Sequence, residues 1–423
     1  MKLLFVSNLY PPHSIGGYEM LCEEVAIQLA ARGHEIHVLS SDYTTNQHAA
    51  QDGRIERSLR LESNIYYYGP QQVLRYWTDR AHNLRVVRKT IARVQPEIVF
   101  VWGMWNLSKT VAAELERLAR ERVVYYFANA WPIEISAHRA YWESSDGKPL
   151  GRLFKRAFRR PVRGLLKSEW RLPDLRFAHT PCCSAATRTQ IQAEGVRLGD
   201  APIIYEGIDL QPFIQQANAR QPDTAGERLD LVFVGTLVHH KGTHTAIEAL
   251  AQLGQEPLPC EVTLTILGKG HPDYTAHLHD LVRRHGLESR VTFRAPIPRH
   301  ELPDFLGGFD VLLLPSIWEE PLARIMQDGL AAGLVLVATR TGGTKEILVD
   351  GENGLGFATD DPADLARQIR RLADDPALRG RLRAEGVHSA VEKFDLKRMV
   401  DEIEHYLVSV VANTAPPWGN SGS

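Results

Sequence analysis

Short apolar runs and amphipathic stretches take turns along the whole chain. Residues 2–7, 35–40, 65–68, 98–102, 123–127, 175–181 and 203–205 are runs of the first kind, as are 230–234, 261–267, 291–294, 311–314 and 335–338. Such runs read as strands buried on both faces, the pattern of a parallel sheet. Between them the apolar positions fall three and four apart. The stretch 18–32 sets Leu21, Val25 and Leu29 on one side and stops at Gly33, a helix with its terminator. Further helices are expected at 85–94, 109–120, 184–194, 243–253, 277–285, 302–305, 365–373, 376–386 and 401–411. Strand and helix alternate in each half, which predicts two doubly wound, Rossmann-like α/β domains with a cleft between two sets of strand ends.

At 423 residues the chain is too long for one core. We expect 1–206 to form one domain and 207–390 a second, with the apolar-poor stretch 209–228 as the linker. Terminal helices in 391–412 are expected to cross back to the first domain, and 413–423, rich in Pro, Gly and Ser, to be a disordered tail. A net charge of −2 gives no electrostatic ground for nucleic acid. Four cysteines without metal-ligand spacing point to a reducing cytoplasm. No apolar run approaches the ~18 residues of a membrane span, and the first residues read as a strand rather than a leader.

One stretch, 315–332, draws the chemistry together. It follows the strand at 311–314, and Pro321 suits the first turn of a helix. A strand running into a helix start presents free N–H groups and a partial positive charge, an anion site. Glu320 would open this helix and Asp328 lie about 12 Å along it. That is too far for a glycosidase pair, which needs about 5–9.5 Å. It fits one elongated ligand gripped at two points with an anion between them, the shape of a nucleotide-diphospho-sugar. An ordinary capped helix with two solvated acids is the plainer alternative.

Other stretches carry weaker signals. Gly16 and Gly17 end the first strand's loop and let backbone approach a ligand. His239, His240 and His244 surround Lys241 and read as solvent-facing residues at a helix start. The segment 152–171 holds eight Lys or Arg and one acid, with Leu153, Phe154, Phe158, Leu165 and Leu166 among them. It reads either as a patch leaning on the inner membrane surface or, more commonly for such segments, as a solvated connector. Pro161 is expected to break it into two short helices.

Six of these stretches, in order along the chain, resemble motifs of the retaining GT-B glycosyltransferases of family 4. Residues 7–19 are similar to the P-x-x-GG loop, and Gly207-Ile208-Asp209 to N-G-[VI]-D. Residues 235–242 resemble V-G-R-L-x-x-x-K-G, and 315–328 resemble P-S-x-x-E-P-F-G-x-x-x-x-E. Residues 342–347 resemble G-G-x-x-E-[IV], and 350–357 resemble D-G-x-N-G-x-x-F. The resemblance implies a GT-B fold and transfer of a sugar from a nucleotide donor, most commonly a UDP-sugar, with retained configuration. It implies no cofactor and no divalent metal, and no D-x-D sequence occurs.

By that resemblance Lys241 meets the donor diphosphate, the N–H groups of Leu322 and Ala323 meet phosphate and sugar, Glu320 the sugar hydroxyls and Asp328 the ribose. Gly16 and Gly17 close over the diphosphate, and backbone at Ala295 and Ile297 reads the base. The acceptor would be a polysaccharide or lipid-linked glycan, and the protein cytoplasmic, touching the membrane through 152–171. Departures from the motifs cluster. Thr236 replaces the phosphate-binding Arg, for which Arg324 is a substitute, and Leu322-Ala323 replace F-G. Trp102 stands at the end of the usual H-x-H, and Ala128-Asn129 stand where H-D is usual. Trp102, Trp105, Asn129 and Trp131 are the acceptor-side candidates, since rings can stack on a sugar or pack a core. These departures keep open a nucleotide-sugar-binding protein with little or no catalysis. The βαβ opening alone suggests an NAD-linked dehydrogenase, against which the missing G-x-G-x-x-G argues.

Overall fold

A computed structural model of the chain describes residues 1–44, 52–65, 67–144, 149–166, 174–220, 228–254 and 257–415. The chain forms two compact units. The first holds Met1–Cys183, Thr187–Ile204 and Val400–Ser423, the second Ser184–Ala186 and Tyr205–Met399. The sequence reading drew its lines at 206 and 391.

In the first unit, strands β1 (Lys2–Ser7), β2 (Glu35–Ser41), β3 (Ile55–Leu59), β4 (Ile98–Gly103) and β5 (Val123–Tyr125) pair in parallel in the order β3-β2-β1-β4-β5. Phe5 on β1 registers with Val38 on β2 and Phe100 on β4. Helices α1 (Gly17–Ala31), α2 (Gln72–Val94), α3 (Lys109–Ala119), α4 (Ala137–Glu143), α5 (Pro149–Leu165) and α6 (Ala185–Ala193) make the crossovers and the outer layer. Arg88 on α2 donates to Glu114 of α3 at 2.6 Å and ties these two helices together, and Arg117, one turn along α3, donates to the same carboxylate at 2.7 Å.

The second unit opens with α7 (Gln211–Ala219) and continues through β6 (Arg228–Val234), α8 (Thr243–Leu253), β7 (Glu261–Leu267), α9 (Pro272–Arg284) and β8 (Val291–Arg294). Then come α10 (Leu302–Gly307), β9 (Val311–Leu314), α11 (Arg324–Ala331), β10 (Val335–Thr339), α12 (Thr344–Ile347), β11 (Gly354–Phe357), α13 (Pro362–Asp374) and α14 (Pro376–Lys393). Its six parallel strands run β11-β10-β9-β6-β7-β8. Leu231, Phe233, Val262, Leu264, Leu313 and Val337 form the centre of its core, with Ile247 and Leu250 of α8 packed on one face.

The last helix, α15 (Leu396–Asn413), starts in the second unit and ends in the first. On the first unit Ile403, Leu407 and Val410 are buried. Arg32 Nη1 sits 2.7 Å from both Asp401 and Glu404, and His34 Nε2 2.7 Å from Glu404. Arg122 reaches the carbonyl of Thr414 at 2.7 Å.

The structure corrects several expectations. The third strand is Ile55–Leu59 rather than 65–68, where Asn64 and Tyr67 make only an isolated bridge. Within 175–181 and 203–205 only His179 and Ile203 make isolated bridges, Ile203 with Cys182, and neither range adds a strand to the sheet. The expected linker holds α7, whose Phe213 is buried, while 221–227 lie outside the described residues. Pro161 does not break α5, which runs through it; residues 167–171 of the basic segment lie outside the described residues. Of the expected tail, Asn413 closes α15 and 416–423 lie outside the described residues.

Candidate functional site

In the second unit the chain leaves β6 toward β7 and β8, and leaves β9 toward β10 and β11, in the opposite direction. The β6/β9 pair is therefore the switch point, and the loops after those two strands, 235–242 and 315–323, flank the crevice where open α/β sheets bind ligands. The two loops are clasped together. Gly242 has φ of +69°, and a Cβ there would lie 1.9 Å from the Pro315 carbonyl oxygen. The Ile317 N–H donates to the His240 carbonyl at 2.8 Å. A third loop closes against them from β10, with Gly342 at φ +51° and no room for a side chain beside Glu320. Gly343 N–H donates to the Glu320 carbonyl at 2.7 Å.

This clasp brings Lys241 and Glu320 into direct contact, Nζ on Oε1. The other carboxylate oxygen of Glu320 accepts from Ser316 Oγ at 2.7 Å. Glu320 is 7% exposed, so a full carboxylate needs these partners. Helix α11 starts at Arg324, three residues later than Pro321. Leu322 and Ala323 lie ahead of it, Ala323 with extended backbone, and the 12 Å helical spacing does not describe Glu320 and Asp328. The N–H groups of Leu322 and Ala323 donate no hydrogen bond among the described residues. They sit beside the Lys241–Glu320 pair at a helix start, where an anion is stabilised.

Asp328 is 1% exposed and is gripped by Arg299, with Nη2 at 2.6 Å from Oδ1 and Nη1 on Oδ2. The Arg299 guanidinium in turn lies 5.2 Å from the centre of the Phe213 ring. Sequence reasoning missed Arg299. The signal was present, because an acid among Met326, Gly329 and Leu330 on a buried helix face requires a cation. Ala295 and Ile297 fall in the loop between β8 and Arg299, at the same carboxyl edge of the sheet. Thr236 is exposed and brings no charge, and Arg324 is half-buried at the first position of α11.

The histidines divide. His239 and His240 are exposed, but His244 is buried, correcting the solvent-facing expectation. Its Nδ1 lies 2.7 Å from Tyr274 Oη and its Nε2 3.2 Å from Asp360. Burial holds the His244 imidazole below the usual histidine range, with neighbouring His239 adding to the effect. Among the described residues no group of His, Cys, Asp or Glu has the arrangement of a metal site.

In the first unit the switch point is β1/β4. Gly16 there caps α1, and its N–H donates to Glu19 Oε2 at 3.0 Å, so it is already engaged. Gly17 is exposed at the first position of the helix. The four acceptor-side candidates do not stay together. Trp102 is fully buried, stacked between Tyr18 and Tyr126 with its N–H on the Tyr18 carbonyl at 3.2 Å. It is a core residue. Asn129 spends its side-chain oxygen on the Trp131 backbone N–H at 3.3 Å. Trp105 and Trp131 line one cavity of about 220 Å³ with Glu62, Lys109, Glu134 and Ser136. The Trp131 indole N–H is buried and has no hydrogen-bond partner among the described residues. Rings, carboxylates and an unsatisfied donor make a lining suited to hydroxyl-bearing ligands.

Comparison with known proteins agrees with this geometry. The family described as "Glycosyltransferase Family 4" matches residues 15–212, and "Glycosyl transferases group 1" matches 215–388. Glycogen synthase of Mycobacterium tuberculosis is 29% identical over 89% of this chain and 87% of its own. D-inositol 3-phosphate glycosyltransferase of Arthrobacter sp. is 30% identical over 50% of this chain and 51% of its own. The crystal structure of Anabaena HepE in complex with UDP and glucose superposes with a TM-score of 0.67 at 21% identity, covering 97% of this chain and 100% of that one. Two α/β units with a clasped switch point, and two family matches that between them run from 15 to 388, lead to one assignment: the chain belongs to the GT-B glycosyltransferases of family 4.

Proposed function

We propose that the second unit holds a nucleotide-diphospho-sugar, in the first instance a UDP-sugar, and that the enzyme transfers the sugar with retention to a polysaccharide or lipid-linked glycan. The observation that carries the reading is the meeting of Lys241, Glu320 and the two N–H groups of Leu322 and Ala323 at the β6/β9 switch point. A diphosphate entering there competes with Glu320 for Lys241 and takes up the N–H groups. Glu320 is then released toward the sugar hydroxyls, and Asp328, steadied by Arg299, accepts from the ribose. HepE was crystallised with UDP-glucose as well, which favours uridine.

In the proposed reaction the bond from the anomeric carbon to the diphosphate oxygen breaks as the acceptor oxygen bonds to the same face. The acceptor's proton passes to the departing phosphate. Lys241 and the N–H groups stabilise the charge that grows on the leaving group, the usual largest contribution in such a site. No divalent cation is required, so transfer should persist in EDTA. An acceptor carried on a lipid would bring the protein to a membrane face, and 152–171 is the segment with the charge for it.

Thermal melts with UDP-, GDP- and ADP-sugars test the donor. At a hundredfold excess over Kd the true donor adds about 2.7 kcal/mol of stability; no shift with any of them removes the proposal. Thr236, Ala128 and Asn129 favour a second reading, a binder with feeble catalysis. Release of nucleotide diphosphate over hours, lost in Glu320→Gln, decides against that one.

A further inference from the structure

Helix α5 turns the wrong side to the protein. At about 100° per residue, Leu153, Ala157, Pro161, Leu165 and Phe158 share one sector of about 140°. Arg152, Lys155, Arg156, Arg159, Arg160 and Arg163 fill an opposing sector of similar width, and Pro149–Leu165 contains no acid. A surface helix ordinarily buries its apolar sector against the core. Here Leu153 is 66% exposed, Phe158 48% and Leu165 43%. What the segment buries is Val162, at the seam between the two sectors, and Leu166 just past the end of α5, on the Lys155 edge of the basic sector. They pack against Val73 and Tyr76 of α2 and Trp142 of α4. The same small cluster is flanked on α2 by Leu74, 78% exposed, and Trp77, 48% exposed.

We infer that α5 is a membrane-surface helix, which lays its outward apolar sector into the headgroup layer of an anionic bilayer while its basic sector pairs with lipid phosphates. Only such a surface satisfies both sectors at once. A nucleic acid would meet the cations and leave Leu153, Phe158 and Leu165 in water. A bilayer buries apolar area and attracts the five exposed arginines together, Lys155 being turned to Ser144 and the Tyr141 ring, and two such contributions are what reversible anchoring requires. Among the described residues no helix is long and apolar enough to cross a membrane, so the contact proposed is peripheral. The inference rests on α5 and its neighbours. It joins the proposed function at one point, an acceptor carried on lipid.

The test is flotation of the full-length protein with phosphatidylcholine vesicles, with and without phosphatidylglycerol. Binding to the anionic vesicles should be about tenfold tighter or more, and should weaken as salt rises from about 0.05 to 0.5 M. Leu153→Ser with Phe158→Ser should lower binding about tenfold with an unchanged melting temperature, because both side chains are exposed. Arg156→Glu with Arg160→Glu should do the same. Equal binding to both vesicle types, or none, overturns the inference without any variant. So does full binding by the Leu153→Ser, Phe158→Ser protein, which would reduce the contact to simple charge adsorption. Capture of RNA in place of vesicles overturns it in favour of a nucleic-acid surface. UDP-sugar melts read the donor proposal separately: failed flotation with an intact UDP-sugar shift removes the membrane helix alone.

Discussion

Lys241 and Glu320 are partners before they are ligands. Removing either one leaves the other charge poorly compensated in a half-closed site, so the variants need separate readouts. Lys241→Ala should cut transfer by about a hundredfold or more, as loss of a leaving-group cation does, and should also lower the melting temperature. Glu320→Gln keeps hydrogen-bonding groups for Lys241 and Ser316 and loses only the countercharge, so it should lower the melting temperature less than Lys241→Ala does and still lose transfer. A Lys241→Ala enzyme with parental rates would end the donor assignment. Arg299 offers a sharper case. Arg299→Ala strands a buried carboxylate and should cost about 3–5 kcal/mol. Arg299→Met combined with Asp328→Leu removes both charges and should recover most of that stability while KM for the donor stays raised. If the double variant bound donor normally, the pair would be structural only.

Elements show where sequence pattern suffices and where it does not. Nine of the eleven strands were visible as apolar runs, the signature of parallel strands buried on both faces, though 65–68, 175–181 and 203–205 carried the same signature without joining a sheet. The two exceptions are edge strands: β3 has half-buried positions along most of Ile55–Leu59, and β11 (Gly354–Phe357) is interrupted by glycines. The start of α11 was read at Pro321, but backbone there is held by Gly342 and Gly343 across the loop, a tertiary contact that local spacing cannot express. Trp102 and Trp131 looked alike in sequence; only packing sends one to the core and the other to a cavity wall. The α2–α3 clamp gives a prediction at this scale. Hydrogen bonding from Arg117, and then Arg88, pulls the Glu114 carboxyl down to about 2 from 4.5. Its contribution is therefore complete above about pH 4.5 and disappears as pH falls toward 2. Both guanidinium groups are more than half exposed, so about 1–2 kcal/mol is a fair discounted size. Arg88→Gln, which removes the bond that crosses from α2, should destabilise the protein by up to that amount at pH 6 in urea melts, with the gap narrowing near pH 2.5. A gap unchanged across that range would refute the clamp.

At the scale of the molecule, the first unit is built from both ends of the described chain. Residues 400–415 bring Val400, Ile403, Leu407 and Val410 into its core, and they bring the acids that meet Arg32 and His34. Four buried aliphatic side chains are worth roughly 6–12 kcal/mol, about the whole stability of a domain. Deleting 400–415 should therefore abolish one calorimetric transition and leave the other, belonging to Tyr205–Met399, in place. Two surviving transitions would show that α15 is dispensable to the first unit.

The discontinuity of the first unit also sets an order of events during synthesis. A ribosome finishes the whole of Tyr205–Met399 while the first unit still lacks its closing helix. The later-made half can complete its fold first. The earlier-made half must wait, with the groove destined for Ile403, Leu407 and Val410 open to chaperones, until the final helix clears the exit tunnel.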